Sequence, residues 1–482
     1  MYHVSDGGVF ESTDGGMEWK NVGGRWITAQ QVYYLTPDPR DPSREWIGTQ
    51  DTGASFGHDD FGTYTNFGCC DGGEVAFAGN NVYLTLTGLG YLNPPSADTI
   101  QSSPGGGSFA WSPFTQGLNP VWAFPPMPIK YNGTNLYTFA NRTVFRTTGT
   151  ALPWTSISGP GFNINTIAVA ANGVVYAGGS VPSYLQVWTG SRWVLQNLAP
   201  RNDRNVIGFA IGSSCGTVQT AYVCLSGISG SPIHRTRDTG LNWSNAIGDM
   251  VGGVNISCLR VDPSDDETVY AGTDLGVYYT GNGGSQWSKV SSGLPLVPFV
   301  TTLAWRPNLD KMLVGTYGRG VWEARVNSQP IAALHGWWSG GVGDNFATRD
   351  PDWRGCSGES RSPDYGWVRV EGKLYTTGGT TGTTPLYRWF SQQLQDNVVT
   401  ADPAWGPGTV HQPDYQSVRA EGYIFRPDAT PPAGAVGLYT WYSPGRGDYF
   451  TTSHPSWAGN PGDTHSPDYT CIRKEGYLLA AE

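Results

Sequence analysis

The sequence has few charges, no cluster of basic residues and no long apolar run. Charged residues are 14% of the 482 residues, and the net charge is −10. Because contacts to phosphate need clustered Lys and Arg, neither nucleic acid nor an anionic membrane surface is expected as a partner. A helix that spans a bilayer needs about 18 consecutive apolar residues, so membrane insertion is not expected either. The composition favours a neutral carbohydrate or a protein surface as the partner.

Motifs of common enzyme and metal sites are also missing. The sequence contains no HExxH or CxxC motif and no phosphate-binding P-loop. No cofactor and no metal site are therefore predicted. The N-terminal stretch MYHVSDGGVF has neither a basic region nor an apolar one, so no signal peptide is expected in this chain.

Only seven cysteines occur, which are too few for a disulfide scaffold. Two of them, at positions 215 and 224, flank a short segment between strand-like runs, which suits a bridge across a hairpin. Their usage favours an oxidising setting, and we expect an extracellular protein, secreted or on the cell surface. The disulfide candidates are Cys69, Cys70, Cys215, Cys224, Cys356 and Cys471.

What the sequence has in abundance is glycine and aromatic residues. It contains 67 Gly, 20 Trp and 25 Tyr, which is typical of an all-β chain with many tight turns. From residue 31 to 292 it falls into units of about 40–45 residues, each reading as four short strands, which is the pattern of propeller blades. Residues 255–290 are the clearest copy.

A short motif with Asp, Gly and Trp recurs within these units. The copies, which we call the octads, are STDGGMEW (12–19), TRDTGLNW (236–243) and TGNGGSQW (280–287). Glycine permits a turn with positive φ, and the Asp carboxylate can accept hydrogen bonds from turn amides. The octad resembles the Asp-box, the bacterial neuraminidase repeat of sialidase-like, sortilin-like and oligoxyloglucan-hydrolase-like propellers. That resemblance implies a structural role for Asp14, Trp19, Asp238, Trp243, Asn282 and Trp287.

The resemblance covers residues 1–326 and implies an Asp-box β-propeller. Six full units, together with three strands at each end of this region, predict seven blades, with eight as the alternative. Surplus strands near the N-terminus would have unpaired edges, which could join a second copy of the chain.

Carboxylates at the ends of inner strands would line the mouth of such a propeller, and a glycosidase needs two of them facing one bond. Oligoxyloglucan hydrolases have a similar Asp-Gly-Gly sequence that contains a catalytic aspartate. The resemblance implies that Asp6 occupies the same position. The catalytic candidates of this alternative are Asp6, Asp71 and Glu74. The other residues expected at the mouth are Asp51, Cys69, Cys70, Asp274 and Arg319.

The composition changes after residue 326. Residues 327–334 read as a linker, and residues 335–482 contain three β-rich repeats, at about 335–378, 386–427 and 437–480. Trp337, Trp389 and Trp441 lie at equal spacing in the three copies. Since each copy is too short to bury a core alone, we predict a β-trefoil-like domain with pseudo-threefold symmetry, with a small β-prism as the alternative. The pattern resembles small trefoil-like domains of secreted bacterial hydrolases and lectins.

Each repeat also places an Asp near a Trp. A sugar site needs a carboxylate or amide for paired hydroxyls and an aromatic ring for the C–H face. The alternative is that the Asp fixes a turn and the Trp fills the core. The candidate carbohydrate-binding residues are Asp344, Asn345, Trp353, Asp396, Asn397, Trp405, Asp448, Tyr449 and Trp457.

Three functions follow from these patterns. The first is a lectin-like protein that binds carbohydrate without cleaving it. The second is a glycoside hydrolase with a C-terminal carbohydrate-binding module. The third is a structural protein whose edge strands join subunits.

Overall fold

The structure is a computed structural model of the whole chain. It describes residues 1–480 except the segments 6–7, 19, 22–29, 59–64, 68–69, 88–98, 106–110, 119–126, 181–184, 197, 199–203, 216–217, 228–231, 251, 264, 291–292, 307–310, 326–330, 351–352, 354, 357–358, 362, 407–408 and 410. The regular elements of the described residues are β-strands and two 3₁₀ helices, Pro403–Trp405 and Pro455–Trp457. Among these residues, no helix is long and apolar enough to cross a membrane. The chain divides into an N-terminal unit, Met1–Val326, and a C-terminal unit, Asn327–Glu482.

The N-terminal unit is an all-β propeller. Its first sheets contain β4 (Val32–Pro37), β5 (Arg44–Thr49), β6 (Thr52–His58), β7 (Thr65–Phe67), then β8 (Cys70–Ala78), β9 (Asn81–Leu86), β10 (Thr99–Pro104), β11 (Ser112–Pro113), then β12 (Lys130–Tyr131), β13 (Leu136–Ala140), β14 (Thr143–Thr148) and β15 (Ala151–Ser156). The later sheets contain β16 (Ile164–Val169), β17 (Val175–Gly179), β18 (Leu185–Trp188), β19 (Trp193–Leu195), then β20 (Val206–Cys215), β21 (Val218–Leu225), β22 (Ile233–Thr236), β23 (Ser244–Asn245), then β24 (Ile256–Asp262), β25 (Asp265–Thr273), β26 (Gly276–Thr280), β27 (Ser288–Lys289), and last β28 (Val300–Arg306), β29 (Lys311–Thr316) and β30 (Val321–Arg325).

The sheets close into a ring through their first strands. Each first strand contacts the next, from β4 through β8, β12, β16, β20 and β24 to β28, and β28 contacts β4 again. At this closure, the Thr301 hydroxyl donates to the Val32 carbonyl at 2.5 Å. The Arg306 guanidinium forms an ion pair with Glu45 at 2.5 Å, and neither side chain is exposed. The closure therefore depends on side chains about 260 residues apart in sequence.

Three strands precede the ring: β1 (Tyr2–Ser5), β2 (Gly8–Glu11) and β3 (Lys20–Asn21). They form one antiparallel sheet that pairs with no further strand among the described residues. The ring itself contains six sheets in the described residues, and the first of them, β4–β11, joins two four-stranded groups through the parallel pair β6–β8. Counted as two blades, this sheet brings the ring to seven, so the choice between seven and eight blades depends on β1–β3. Pairing of these edges with a second chain stays a prediction.

Each octad leads into the last strand of its sheet: the first lies between β2 and β3, the second between β22 and β23, and the third between β26 and β27. The Asp14 carboxylate accepts hydrogen bonds from the amides of Met17 at 3.0 Å and Glu18 at 3.1 Å. These bonds hold the pKa of Asp14 below its usual value. In the second octad Asp238 accepts from the Asn242 amide at 2.8 Å, and in the third the Asn282 side chain accepts from the Gln286 amide at 2.9 Å. The three side chains thus serve the local turn.

The predicted disulfide bridge Cys215–Cys224 is wrong, because Cys224 is a buried free thiol. Cys471, another disulfide candidate, is also a buried free thiol. In the hairpin of β20 and β21, Cys215 pairs with Val218 while Cys224 pairs with Gly208. Seven residues of strand separate Gly208 from Cys215, about 20 Å, whereas a disulfide needs Cα atoms within about 7 Å.

The C-terminal unit has three repeats of three long antiparallel strands each. They are β31 (Ile331–Ser339), β32 (Asp344–Thr348) and β34 (Tyr365–Tyr375), then β35 (Thr383–Ser391), β36 (Asp396–Thr400) and β37 (Gln416–Phe425), then β38 (Val436–Ser443), β39 (Asp448–Thr452) and β41 (Tyr469–Leu478). Two short strands, β33 (Ser360–Arg361) and β40 (Thr464–His465), pair with the starts of β34 and β41. The middle strands β32, β36 and β39 contact one another around the pseudo-threefold axis. Assignment to the β-trefoil class stays a prediction.

The last strands of the repeats meet near their ends. Tyr375 pairs with Tyr423, Phe425 pairs with Tyr477, and Lys373 forms a bridge to Leu479. At this crossing, a Cβ on Gly476 would come within 2.1 Å of the Phe425 carbonyl oxygen. Glycine is therefore required there, and Gly372 and Gly422 hold the equivalent positions.

The C-terminal unit begins earlier than the sequence predicts. Strand β31 starts at Ile331, inside the expected linker 327–334. Its residues Ala332 and Leu334 are 3% and 0% exposed, and Leu334 belongs to the apolar core that the three repeats share.

Candidate functional site

The central channel of the propeller contains two cavities of about 490 and 480 Å³. Among their described lining residues, the charged side chains are Glu74, Lys130 and Arg260. Glu74 accepts a hydrogen bond from the Lys130 ammonium at 2.5 Å and another from the Ile129 amide at 3.2 Å. The channel thus has one carboxylate in its described lining, and that carboxylate is neutralised by a lysine from the next sheet.

The residues predicted for the propeller mouth lie in separate turns. Asp51 is in the β5–β6 turn, and its amide donates to the Asp71 carboxylate at 2.8 Å. Asp274 is in the β25–β26 turn, and its carboxylate accepts from the Asn255 amide at 3.0 Å. Arg319 is exposed in the β29–β30 turn. The structure brings Asp51 and Asp71 together, with the Asp71 carboxylate capping the backbone amide of Asp51.

Some predicted positions lie outside the described residues. These are Asp6, Trp19 and Cys69, and Cys70 is described only as the first backbone position of β8. The catalytic alternative through Asp6 and the vicinal pair Cys69–Cys70 therefore stay predictions.

In the C-terminal unit, the three repeated aspartates converge on the pseudo-threefold axis. Asp344, Asp396 and Asp448, which we call the axial cluster, each place a carboxylate oxygen within 4.8 Å of the other two. They are 1%, 3% and 3% exposed. The sequence predicted these carboxylates as contacts for sugar hydroxyls, but the structure places them in the interior, where a ligand on the surface does not reach them.

Each axial aspartate accepts a hydrogen bond from a tyrosine hydroxyl of its own repeat. Tyr365 donates to Asp344, Tyr415 to Asp396 and Tyr469 to Asp448. Sequence reasoning missed these tyrosines, although each follows a repeated Pro-Asp pair. Burial raises the pKa of all three carboxyl groups, and the tyrosine hydrogen bonds oppose this rise.

Contacts to the following repeat join the cluster into one unit. The amide of Asn397 donates to Asp344 at 2.8 Å, and the amide of Tyr449 donates to Asp396 at 3.1 Å. The side chain of Asn397 also donates to Asp344, at 2.8 Å. Among the predicted sugar-binding residues, Asn397 and Tyr449 thus hold the axial carboxylates through their backbones.

A second set of repeated contacts, which the sequence did not suggest, joins the repeats through buried glutamates. Glu421 accepts from the Thr348 hydroxyl at 3.0 Å and the Arg349 amide at 2.8 Å, both in the preceding repeat. Arg388 lies 3.4 Å from the same carboxylate. Glu475 and Glu371 make the equivalent contacts with residues 400–401 and 452–453. Each of these glutamates stands in an Arg-x-Glu pattern, which by itself gives no sign of the contact between repeats.

The three tryptophans predicted to bind sugar differ in whether another ring stacks on them. The Trp405 ring stacks on His411 at 4.0 Å between centroids, and the Trp457 ring stacks on His465 at 3.8 Å. In the first repeat, Arg361 holds the position of these histidines. Trp353 meets aromatic rings edge-on only, among the described residues, at interplanar angles of 80–90°. This leaves a face of Trp353 without a stacked ring.

Trp353 borders a cleft between the first and second repeats, with a volume of about 370 Å³. We call this the Trp353 cleft. Its lining residues are Val342, Phe346, Trp353, Pro363, Tyr365, Arg388, Phe390, Gln395, Asn397 and Val418. A smaller cleft of about 140 Å³ between the first and third repeats includes Asn345 and Trp457. Predicted binding residues therefore lie in both clefts, apart from the axial aspartates behind them.

Comparisons with known proteins add no family to these observations, since no family model and no curated protein matches the chain. Solved structures do resemble it. YCF48 from Cyanidioschyzon merolae is 12% identical with a TM-score of 0.48, covering 61% of this chain and 96% of its own. The GH74 xyloglucanase from Xanthomonas campestris is 14% identical with a TM-score of 0.49, covering 88% and 73%. The extracellular domain of BT4673 from B. thetaiotaomicron is 13% identical with a TM-score of 0.46, covering 88% and 52%. At these identities the likenesses carry no conclusion about ligand or activity.

Proposed function

We propose that the chain is an extracellular, lectin-like protein that binds carbohydrate in the Trp353 cleft without cleaving it. The observation that carries this proposal is that Trp353, which has no stacked ring among the described residues, lines a cleft of about 370 Å³ beside polar side chains. Ligand-binding clefts are typically about 300–1,000 Å³ and combine apolar walls with a few polar groups. A sugar ring has an apolar C–H face and hydroxyl edges, which suits such a surface.

The polar groups of the cleft are held in place by the fold. The Arg388 guanidinium lies 5.3 Å over the Phe346 ring and is paired with Glu421, so its position is fixed without a ligand. Asn397 is 7% exposed and anchored to Asp344. Because these side chains lose little freedom when a ligand binds, the cleft is preorganised.

Cleavage has less support than binding. A glycosidase needs two carboxyl groups about 5–10 Å apart on either side of the scissile bond. The described lining of the Trp353 cleft contains no carboxylate, and that of the propeller channel contains only Glu74, in its ion pair with Lys130. We therefore place binding ahead of hydrolysis.

A glycan array, together with an assay for released reducing ends, separates the candidate functions. The full chain is applied to the array, and the same preparation is incubated with plant and bacterial polysaccharides. We expect binding to a defined set of neutral glycans and no release of reducing ends.

Each other outcome contradicts the proposal. Release of reducing ends would favour the glycoside hydrolase alternative. If the protein neither binds a glycan nor releases reducing ends, carbohydrate binding is excluded under these conditions and assembly through the edges of β1–β3 is favoured. Sedimentation would detect such assembly as self-association.

A further inference from the structure

The axial cluster brings three acidic groups together without a basic partner among the described residues. Its three carboxylates are at least 97% buried, and none of the ion pairs among the described residues includes any of them. Like charges at this distance repel strongly in an interior of low dielectric constant. Tyrosine hydroxyls supply one donor to each carboxylate, but they carry no positive charge.

The hydrogen bonding of the cluster is also incomplete. By the pseudo-threefold symmetry, Oδ1 of each aspartate should accept an amide of the following repeat. Asp344 and Asp396 do so, at 2.8 and 3.1 Å. Oδ1 of Asp448 is buried and makes no hydrogen bond of normal length and angle, although the equivalent amide, that of Asn345, is near enough to lower the pKa of Asp448. A buried acceptor without a donor costs about 1–3 kcal/mol, and more when it is charged, so this oxygen calls for a ligand.

We propose that the axial cluster binds one divalent cation, calcium rather than a transition metal, through one carboxylate oxygen from each repeat. Calcium binds oxygen ligands at about 2.3–2.6 Å and tolerates irregular geometry. Two oxygens bound to such an ion are at most about 5 Å apart, and the carboxylate oxygens of the cluster lie within 4.8 Å of one another, so one ion can reach all three. Transition metals prefer imidazole or thiolate ligands, and the cluster supplies carboxylate oxygen only.

A cation at this place would join the three repeats. Its ligands lie at the starts of β32, β36 and β39, 52 residues apart in sequence, so the folded unit assembles a site that no local motif encodes. Binding would compensate the repulsion between the carboxylates and stabilise the folded state by mass action.

Terbium luminescence and thermal unfolding of the full chain test the proposal. Terbium(III) occupies oxygen-rich calcium sites and emits when a nearby tyrosine or tryptophan is excited. After removal of metals with EDTA, we expect saturable emission at one terbium per chain, displacement by calcium, and a higher Tm in calcium than in EDTA. Asp396→Asn should abolish all three effects. In EDTA, however, this variant should be about as stable as the parent, because an uncharged amide of the same size replaces a buried acidic group.

Asp428→Asn is the matched control, because Asp428 is 75% exposed in the same unit and pairs with Arg426. It should keep the terbium signal and the calcium-dependent Tm. Asp448→Asn replaces Asp396→Asn if that variant fails to fold. The proposal is overturned if the parent protein shows no saturable emission and the same Tm in calcium and in EDTA. It is also overturned if both axial variants keep the one-to-one signal.

Discussion

Arg306→Ala is expected to lower the free energy of unfolding by about 3–5 kcal/mol, because it leaves Glu45 as a buried charge without its partner. The Arg306 side chain is fully buried and makes three contacts at the ring closure. It pairs with Glu45 at 2.5 Å, donates to the Pro42 carbonyl at 2.6 Å and approaches Glu323 at 3.3 Å. Urea unfolding followed by tryptophan fluorescence measures the loss.

Arg142→Ala provides the control for this prediction. Arg142 belongs to the same propeller, but it is exposed and donates to the Asn163 side chain at 3.0 Å. Its removal should change the free energy of unfolding by less than about 0.5 kcal/mol. If Arg306→Ala were no more destabilising than Arg142→Ala, the ring would not be closed by the contact between β28 and the β4–β5 sheet.

Glu421→Ala should destabilise the C-terminal unit by a similar amount, about 3–5 kcal/mol. The substitution removes the acceptor of the Thr348 hydroxyl and the Arg349 amide, and it leaves Arg388 without its partner. Since Arg388 lines the Trp353 cleft, the same variant should weaken glycan binding. Urea unfolding and the array signal can be measured on one preparation.

Glu421→Gln separates the hydrogen bonds from the charge. Glutamine keeps an acceptor for Thr348 and Arg349 but removes the negative charge beside Arg388. It should therefore recover part of the lost free energy of unfolding. Asp428→Ala, which removes an exposed carboxylate from the same unit, should have little effect. Equal stability of Glu421→Ala and the parent would show that the glutamates do not hold the repeats together.

The propeller could be predicted from the sequence because its signals are local. Each octad contains the Asp and the Gly that form its turn, a few residues apart. Apolar runs of strand length also recur at a period of about 40–45 residues. The residues that close the ring gave no such signal. Arg306 and Glu45 are far apart in the chain, and nothing near either residue indicates its partner.

The candidate site was predicted in part. The equal spacing of Asp344, Asp396 and Asp448 indicated equivalent positions, but the sequence did not say which face of the repeat they occupy. Their direction follows from packing around the axis, where β32, β36 and β39 meet. Tyr365 and its equivalents could have indicated that the aspartates are buried, since a repeated tyrosine beside a repeated carboxylate is typical of a buried hydrogen bond. Trp353 lies on a cleft wall, and its role in binding stays a prediction.

The role of the Trp353 cleft in binding can be tested by filling the cleft with a residue that another repeat has at the equivalent position. Val342 is 37% exposed at its edge, and the third repeat has Arg446 at the equivalent position, 5.9 Å over the Tyr469 ring. Val342→Arg should therefore cover Tyr365 and narrow the cleft with little effect on stability. Val218→Arg, at a 43% exposed position of the propeller, is the matched control.

The most direct measurement is titration calorimetry of the glycan that binds best on the array, with the parent protein and both variants. The carbohydrate-binding account predicts that Val342→Arg weakens the affinity at least tenfold, about 1.4 kcal/mol. The free energy of unfolding of this variant should equal that of the parent. It predicts no change for Val218→Arg. An unchanged affinity in Val342→Arg would contradict the account and place the glycan elsewhere on the chain.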